Sequence, residues 1–582
     1  MAGILVALVI LLPWVGALAV WLAKNSHPKL QHTLAIAFSV LAAMTSILLL
    51  RSASPDPVIR IPLGTAFGEL TFVPDGLAVS LTAIAAVIGS LAVIFSMDYM
   101  HGDEQLGRYY FLVLFFIGAM TGLVLSGNLL FTFFFWEITA LCSYGLISFY
   151  NDDPKAVAGG IKALIVTQVG GVGLLAGTLV AFTILGSFQI SDLLAKSATL
   201  PAASLAFIAF SFLIAAAAKS AQFPFHTWLP DAMEAPTPVS ALIHAATMVN
   251  AGIYLLARFY PAFASVPGWR TSVLMVGLVS ALIASLSALI ATDLKRVLAY
   301  STVSQLGYMV YAIGAGSVLA SQYHLLNHAF FKALLFLAAG SVIHSVGTRD
   351  LRRMGGLGGK MPFVRNVFII GALALAGIPI LNGFWSKELI LEVSLAAAPL
   401  WVHLLMIAGA GLTAFYTFRV VWLVFYGEER DFLHYHPAGP AMKFSLGVLA
   451  VGTFITWLFF GPLSEALSTT LPFHEVEHES TVELVINVLS APATWFTLMV
   501  VAIGLGISYV RARGFRLFGG GWLAPLVETS FGFDSLNRWI VLGVIRFAER
   551  LRATQTGQLN WNILGIFSGL LVVLVILWLG VK

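Results

Sequence analysis

The sequence predicts an all-α polytopic membrane protein of about 16 transmembrane helices, and three observations predict it. Apolar residues make up 59% of the 582-residue chain and charged residues 10%, against about half and about a quarter in a soluble domain. Mean hydropathy is +0.93. The apolar residues also gather into stretches of about 20, the number that crosses roughly 30 Å of hydrocarbon at about 1.5 Å per residue.

Read in order, the expected spans cover approximately residues 3 to 23, 32 to 50, 76 to 97, 109 to 126, 128 to 149, 158 to 185, 203 to 222, 239 to 258, 271 to 291, 295 to 316, 320 to 344, 362 to 397, 400 to 427, 444 to 463, 493 to 513 and 560 to 580. The first has no basic leader and exceeds an ordinary signal-peptide core, so it is expected to stay as the first helix. The chain divides on this reading into N-terminal helices (1–105), a first repeat (106–265), a second repeat (266–430), additional helices (431–513), an interfacial helix (514–559) and a final span (560–582). The single cysteine, Cys142, excludes a disulfide framework and a cysteine-ligated cluster, so no cofactor or metal is expected and any redox chemistry belongs to other chains.

Lys and Arg are unevenly shared between alternate loops. One set includes Lys24, Arg108, Lys295, Arg296, Arg349, Arg352, Arg353 and Lys360; the other holds Arg51, Arg60, Lys196, Arg258, Arg270 and Lys582. The richer set is expected to face the cytoplasm, which puts both termini and the acidic Glu475, Glu477, Glu479 and Glu483 on the opposite side. Lys162, Lys219, Lys332, Lys387 and Arg419 fall inside spans. A cation there costs about 2.5 to 3.5 kcal/mol even on a lenient insertion scale, so each needs a counter-charge, a wet cavity or a function. Lys162 and Arg419 lie near helix ends, where snorkelling is an equally good explanation.

Chemistry concentrates at a few positions. Glu137 stands in the aromatic run FFFWEITALCSYGLISF and calls for a cation partner. Lys219 ends the seventh span, directly before a segment in which Pro224, Pro230, Pro236 and Pro238 must interrupt the helix. For Asp231 and Glu234 in that segment, a plain turn-rich loop is an equal reading. His244 lies in the eighth span, and His324, His328 and Lys332 follow one another at four-residue intervals in the eleventh. That spacing puts the last three on one helix face about 6 Å apart, which suits a proton relay. A metal site or a structural polar seam would use the same residues, although no carboxylate or cysteine joins the row. In the twelfth span Gly377, Pro379 and Gly383 break the helix before Lys387, with Glu388 and Glu392 beyond. Lys219 and Lys387 are therefore both lysines at Pro-interrupted helices five spans apart, which predicts two inverted five-helix repeats with ion sites at the breaks. Late in the chain, Leu536, Ile540, Val544, Phe547 and Leu551 recur at helical intervals among Arg538, Glu549, Arg550 and Arg552. They read as a short amphipathic lateral helix that either lies on anionic lipid or clasps a partner.

The strings FWEITALCSY, KSAQFPFHTWLPDAMEAPTPVSALIHAATMV, STVSQLGYM, HLLNHAFFKALLFLAAGSVIH and GFWSKELIL resemble the proton-translocating antiporter-like subunits of the complex I and Mrp superfamily. The final arm and span look like the L-type subunit, subunit 5 of mitochondria. The resemblance implies a proton-translocating subunit of an NADH-quinone oxidoreductase type of complex, driven by quinone reduction in partner subunits, in a bacterial or archaeal energy-coupling membrane. Its proton-path residues fall on Glu137, Lys219, His244, His324, His328, Lys332 and Lys387. Two features depart from the L pattern: the arm is short, and Gln168 and Gly171 stand where many L subunits carry Arg and Asp. The EAPTPVSA and GTRDL segments also resemble the A-type subunits of multisubunit Na+/H+ antiporters of the Mrp class, and hydrogenase and formate hydrogenlyase subunits share the core. A secondary ion transporter without a redox partner is thus the alternative, and a non-conducting membrane scaffold a third.

Overall fold

The computed structural model describes residues 1–23, 27–64, 68–429, 436–513 and 530–554, together with Pro525, Ser568 and Leu571. The architecture is helical throughout except for one hairpin, in which β1 (Ile59–Pro62) pairs antiparallel with β2 (Glu69–Phe72). The hairpin lies between spans and was not legible in the sequence. Two units make up the chain, residues 1–519 and 520–582.

In the first unit the helices are α1 (Ala2–Leu22), α2 (Pro28–Leu50), α3 (Gly76–Tyr99), α4 (Leu106–Leu125), α5 (Leu129–Ile147), α6 (Pro154–Leu185), α7 (Ile190–Lys196), α8 (Ala202–Lys219), α9 (Trp228–Asp231), α10 (Thr237–Ala241), α11 (Met248–Phe263), α12 (Trp269–Ile290), α13 (Leu294–Ala315), α14 (Val318–Val346), α15 (Leu357–Lys360), α16 (Pro362–Ala376), α17 (Asn382–Ala397), α18 (Leu400–Phe425), α19 (Pro440–Ile455), α20 (Phe460–Thr470), α21 (Thr481–Ser490) and α22 (Pro492–Ala512). Thirteen helical segments among the described residues are long and apolar enough to cross a bilayer. Each of the first fifteen expected spans is occupied by helix, and the sixteenth lies outside the described residues apart from Ser568 and Leu571. In the second unit the expected amphipathic helix forms over Phe533–Thr554.

Local chemistry sets the boundaries. Asn128, Asp153, Asp293 and Ser317 cap α5, α6, α13 and α14 with their side chains, occupying orphan N–H groups. The long apolar spans carry polar residues where the interior is deepest, so burial is not simply hydrophobic.

Three helices are interrupted. Between α8 and α9 the chain turns through Ala221 at φ 51°, and between α16 and α17 through Ile380 at φ 80°. Left-handed backbone is rare for non-glycine residues, above all β-branched ones, and such strain persists only where surrounding packing holds it, commonly at functional sites. Between α10 and α11, residues Leu242–Ala246 form a π-helical turn, another feature that gathers at functional sites.

Two cations assigned to loops from the sequence are in fact buried. Arg258, at the far end of α11, makes a two-pronged ion pair with Asp75, the cap of α3, and both are within 6% of full burial. Lys295, in the first turn of α13, is 3% exposed. The loop reading failed because hydropathy around these residues marks a span edge, and an edge residue on the inner face of a helix is as enclosed as a central one.

Removing one partner of a buried ion pair strands the other charge, so Arg258→Ala should destabilise the protein by about 3 to 5 kcal/mol. A thermal or denaturant unfolding series on the membrane-extracted protein checks this; an unchanged midpoint would contradict it.

Candidate functional site

The site is a line of buried ionisable side chains inside the helical body, beginning at the first break. Lys219, the last residue of α8, is fully buried, and its Nζ donates to the Trp136 carbonyl at 2.8 Å and lies 4.8 Å from the Trp136 ring centre. Glu137 is the next residue along α5 and is close enough to act electrostatically on Lys219. Lys219 is the nearby cation on which Glu137 acts, without a direct hydrogen bond between them. The carboxylate instead accepts a hydrogen bond from Gln168 Nε2 on α6. Its other oxygen is buried without a hydrogen-bond partner, and a methyl group at Gly171 would overlap it. Gln168 and Gly171, the positions that depart from the L pattern, thus form the pocket for Glu137: one donates, the other makes room.

His244 sits in the π turn, its ring 4.8 Å from that of Phe336. Neither of its ring nitrogens has a protein hydrogen-bond partner, and the same holds for His328. Both residues are buried. A buried donor or acceptor left unmade costs about 1 to 3 kcal/mol, and small polar cavities resolve it with water. His324 is satisfied by protein: Nδ1 lies 2.9 Å from Ser386 Oγ and Nε2 3.2 Å from Gln305 Oε1. The His324 and His328 rings are 6.3 Å apart along α14, matching the spacing expected of the row.

Lys332 is fully buried and donates to the Leu298 carbonyl at 3.2 Å and to Ser301 Oγ. Lys387 is 1% exposed; its Nζ donates to the Leu375 carbonyl at 2.8 Å and lies 5.9 Å from the Tyr308 ring centre. Leu375 is in the last turn of α16, where carbonyls lack helical partners and carry partial negative charge. Lys387 and Lys219 both attend a break, but from opposite half-helices: Lys219 precedes its break and Lys387 follows its own. Electrostatic reach links Lys332 to His244, His328 and Lys387, and Lys387 to His324. Beyond Lys387 the carboxylate of Glu388 is 4% exposed.

The two ends of the line differ in charge. At one end Asp231 pairs with Lys162 at 2.7 Å and with Arg296, while Arg349 bridges Glu234 at 2.9 Å and Asp293 at 3.2 Å. Lys162 is therefore anchored by a carboxylate, Asp231 and Glu234 belong to an ion network, and Arg419 donates to the Ala291 carbonyl at 2.9 Å. At the other end a cavity of about 500 Å³ is lined by Tyr260, His474, Glu475, Glu477 and Glu479 together with Gly316 and Ser317. Helix α13 leads from the network to this cavity in 22 residues, about 33 Å, which is one hydrocarbon thickness.

Comparison with known proteins bears on the family and the fold. A family model described as NADH:quinone oxidoreductase/Mrp antiporter, TM, matches residues 126–413, and one described as NADH-Ubiquinone oxidoreductase (complex I), chain 5 N-terminus, matches residues 61–110. The chain belongs to this antiporter-like membrane-subunit family. Among its relatives, the NAD(P)H-quinone oxidoreductase chain 5 of Synechocystis is 43% identical over 377 residues, 62% of this chain and 55% of the relative. The chloroplastic subunit 5 of Arabidopsis thaliana is 42% identical over 396 residues, 65% of this chain and 53% of the relative. The chain thus spans about half the length of the curated relatives it matches. A solved Mrp complex from Dietzia aligns over 100% of this chain and 63% of its own, at TM-score 0.83 and 28% identity. An archaeal membrane-bound sulfane sulfur reductase shares the fold at TM-score 0.71 and 24% identity, over 83% of this chain and 99% of its own.

Within this antiporter-like fold, sequence reasoning missed Lys295, whose Nζ donates to the Ala235 carbonyl at 2.6 Å beside the Glu234–Arg349–Asp293 network. Its signal was present in TDLKRV, where a lysine follows a capping aspartate, but the neighbouring charges made it look like loop. Gln168, Gln305 and Ser386 were also missed as partners of site residues; neutral polar residues in a span carry little signal until their neighbours are known.

Because a methyl group has no space at residue 171, Gly171→Ala should displace the Glu137 carboxylate from Gln168. Infrared difference spectra in the carboxyl region should then show a shifted band that vanishes when Glu137→Gln is added; a spectrum identical to the parent would refute the packing described.

Proposed function

We propose that the chain moves protons across an energy-coupling membrane, as the antiporter-like subunit of a multisubunit complex of the NAD(P)H-quinone oxidoreductase type. One observation carries this reading: three lysines buried in the spans, each amino group held by a neutral oxygen rather than a carboxylate, with two unpaired histidines between them. Each of these lysines is buried with only a carbonyl or hydroxyl oxygen as its direct hydrogen-bond partner, Glu137 and Glu388 acting electrostatically on Lys219 and Lys387, and hydrated imidazoles pass protons on. Glu137 and Lys219 act as the loading switch. His244, His328, Lys332 and His324 carry the charge across the midplane, and Lys387 releases it past Glu388. Blocks 106–265 and 266–430 act as two antiporter-like repeats, each with one broken helix. A fixed row of sites would leak, so partner subunits that perform quinone chemistry must shift the site populations.

A second reading, membership of an Mrp-type Na+/H+ antiporter, draws support from the full-length fold match to the Dietzia complex. Purifying the assembly separates them. Quinone-dependent proton uptake supports the first, and sodium-driven, quinone-independent proton movement the second.

Lys332→Ala in the reconstituted assembly should reduce proton transport about tenfold or more while assembly persists; transport at the parental rate would reject the relay. The basic network should face the cytoplasm and the acid-lined cavity the opposite side. The native Cys142 is buried, so Arg352→Cys should react with impermeant thiol reagent only from the cytoplasmic side and Glu475→Cys only from the other. The reverse pattern would invert the topology.

A further inference from the structure

Two arginines come together at the ends of α18 and α22 with no carboxylate to balance them. Arg419 stands in α18 before its last turn, and Arg511 in the last turn of α22. The two helices pack tightly about two turns deeper, where a methyl group at Gly504 would overlap the Gly411 backbone. Arg511 lies 5.9 Å from the ring centre of Phe415, which precedes Arg419 by one turn on the same face of α18, and Arg511 acts electrostatically on Arg419. Among the described residues neither arginine belongs to an ion pair. Arg419 gives one N–H to the Ala291 carbonyl at the end of α12, and a guanidinium has five. Other donors around the pair are also unsatisfied. Trp422, next on that face of α18, packs against Tyr509 of α22 with ring centres 5.5 Å apart, and its indole N–H has no hydrogen-bond partner. Nor has the hydroxyl of Ser508, a buried residue one turn before Arg511. Orphan donors beside two cations without a counter-charge make a ready site for an anion.

The geometry points to a binding site for the phosphate of an anionic membrane lipid, held by Arg419 and Arg511 between α18 and α22. Guanidinium is the side chain best matched to phosphate, which it grips through paired N–H groups. Three features make the source of that phosphate a lipid. Trp422, Tyr426 and Tyr509 pack together at this level, as aromatic residues do at headgroup depth. Met499 and Ile503, two to three turns deeper on α22, are each more than half exposed and offer a surface to acyl chains. Within this chain α22 is also the least buried of the thirteen spans. Ala291 ends α12 two residues before Asp293, so the headgroup would sit on the same side of the membrane as the Glu234–Arg349–Asp293 network. The assignment does not depend on the proton relay, and it gives Arg419 a ligand where snorkelling gives it none.

The test titrates intact, delipidated assemblies in detergent with phosphatidylglycerol or with zwitterionic phosphatidylcholine and reads bound lipid by native mass spectrometry. The parent should bind phosphatidylglycerol in preference. Replacing both arginines, Arg419→Gln with Arg511→Gln, should weaken the tightest phosphatidylglycerol by about 30-fold, the loss expected of two cations near a charged headgroup. Arg419→Lys with Arg511→Lys keeps both charges and should retain most of the affinity. Excess inorganic phosphate at matched ionic strength should leave the lipid bound; its displacement would make free phosphate the ligand and overturn the lipid assignment. Equal binding of the two lipids by the parent, which a partner subunit's carboxylate on the arginines would produce, overturns the site. A double Gln variant that binds like the parent does the same. Should that variant not assemble, Arg511→Gln alone changes an exposed side chain and should cost about fivefold; parental affinity there overturns the proposal.

Discussion

The arrangement turns on one constraint: positive charge held in an apolar interior with no carboxylate bonded directly to it. Lys219, Lys332, Lys387 and Lys295 each aim an amino group at a backbone carbonyl. A carbonyl dipole solvates an ammonium less well than a carboxylate does, so these groups are neither as stable as the Arg258–Asp75 pair nor as unfavourable as a bare charge. That intermediate condition distinguishes a site that exchanges protons from one that fixes structure. The same protein contains both kinds.

One of these carbonyls comes from an interrupted helix: Leu375, in the last turn of α16, has no helical partner and accepts from Lys387, whereas Trp136 and Leu298 accept from Lys219 and Lys332 while lying within α5 and α13. The two breaks themselves turn through left-handed backbone at Ala221 and Ile380. They also explain where glycine is needed: Gly377, at φ 82°, ends α16 beside the Lys387 side chain, where a glycine avoids the steric penalty of that conformation. At the second break, left-handed backbone, a helix-end carbonyl and a buried lysine thus coincide. The histidines differ, because His244 and His328 have no carbonyl or side-chain partner and depend on hydration.

Much of this was legible in the sequence because charge inside an apolar span is a loud signal. Lys219, Lys332, Lys387, Glu137 and the histidine row all stood out, and proline and glycine marked both breaks. What could not be read were pairings across helices. Glu137 called for a cation and Lys219 lies within its electrostatic reach, but the hydrogen bond to the carboxylate comes from Gln168, a residue with no charge to draw attention. Arg258 and Lys295 were assigned to loops because a span boundary says nothing about which way a side chain points. The π turn at His244 and the β1–β2 hairpin arise from tertiary packing and local pairing that hydropathy does not report.

The central claim is that water joins these groups, and a map of the intact assembly fine enough to resolve ordered water tests it most directly. The account predicts water hydrogen-bonded to the ring nitrogens of His244 and His328, continuing toward Lys332 and Lys387. Dry, apolar packing around both imidazoles, with the three lysines isolated from one another, would contradict it.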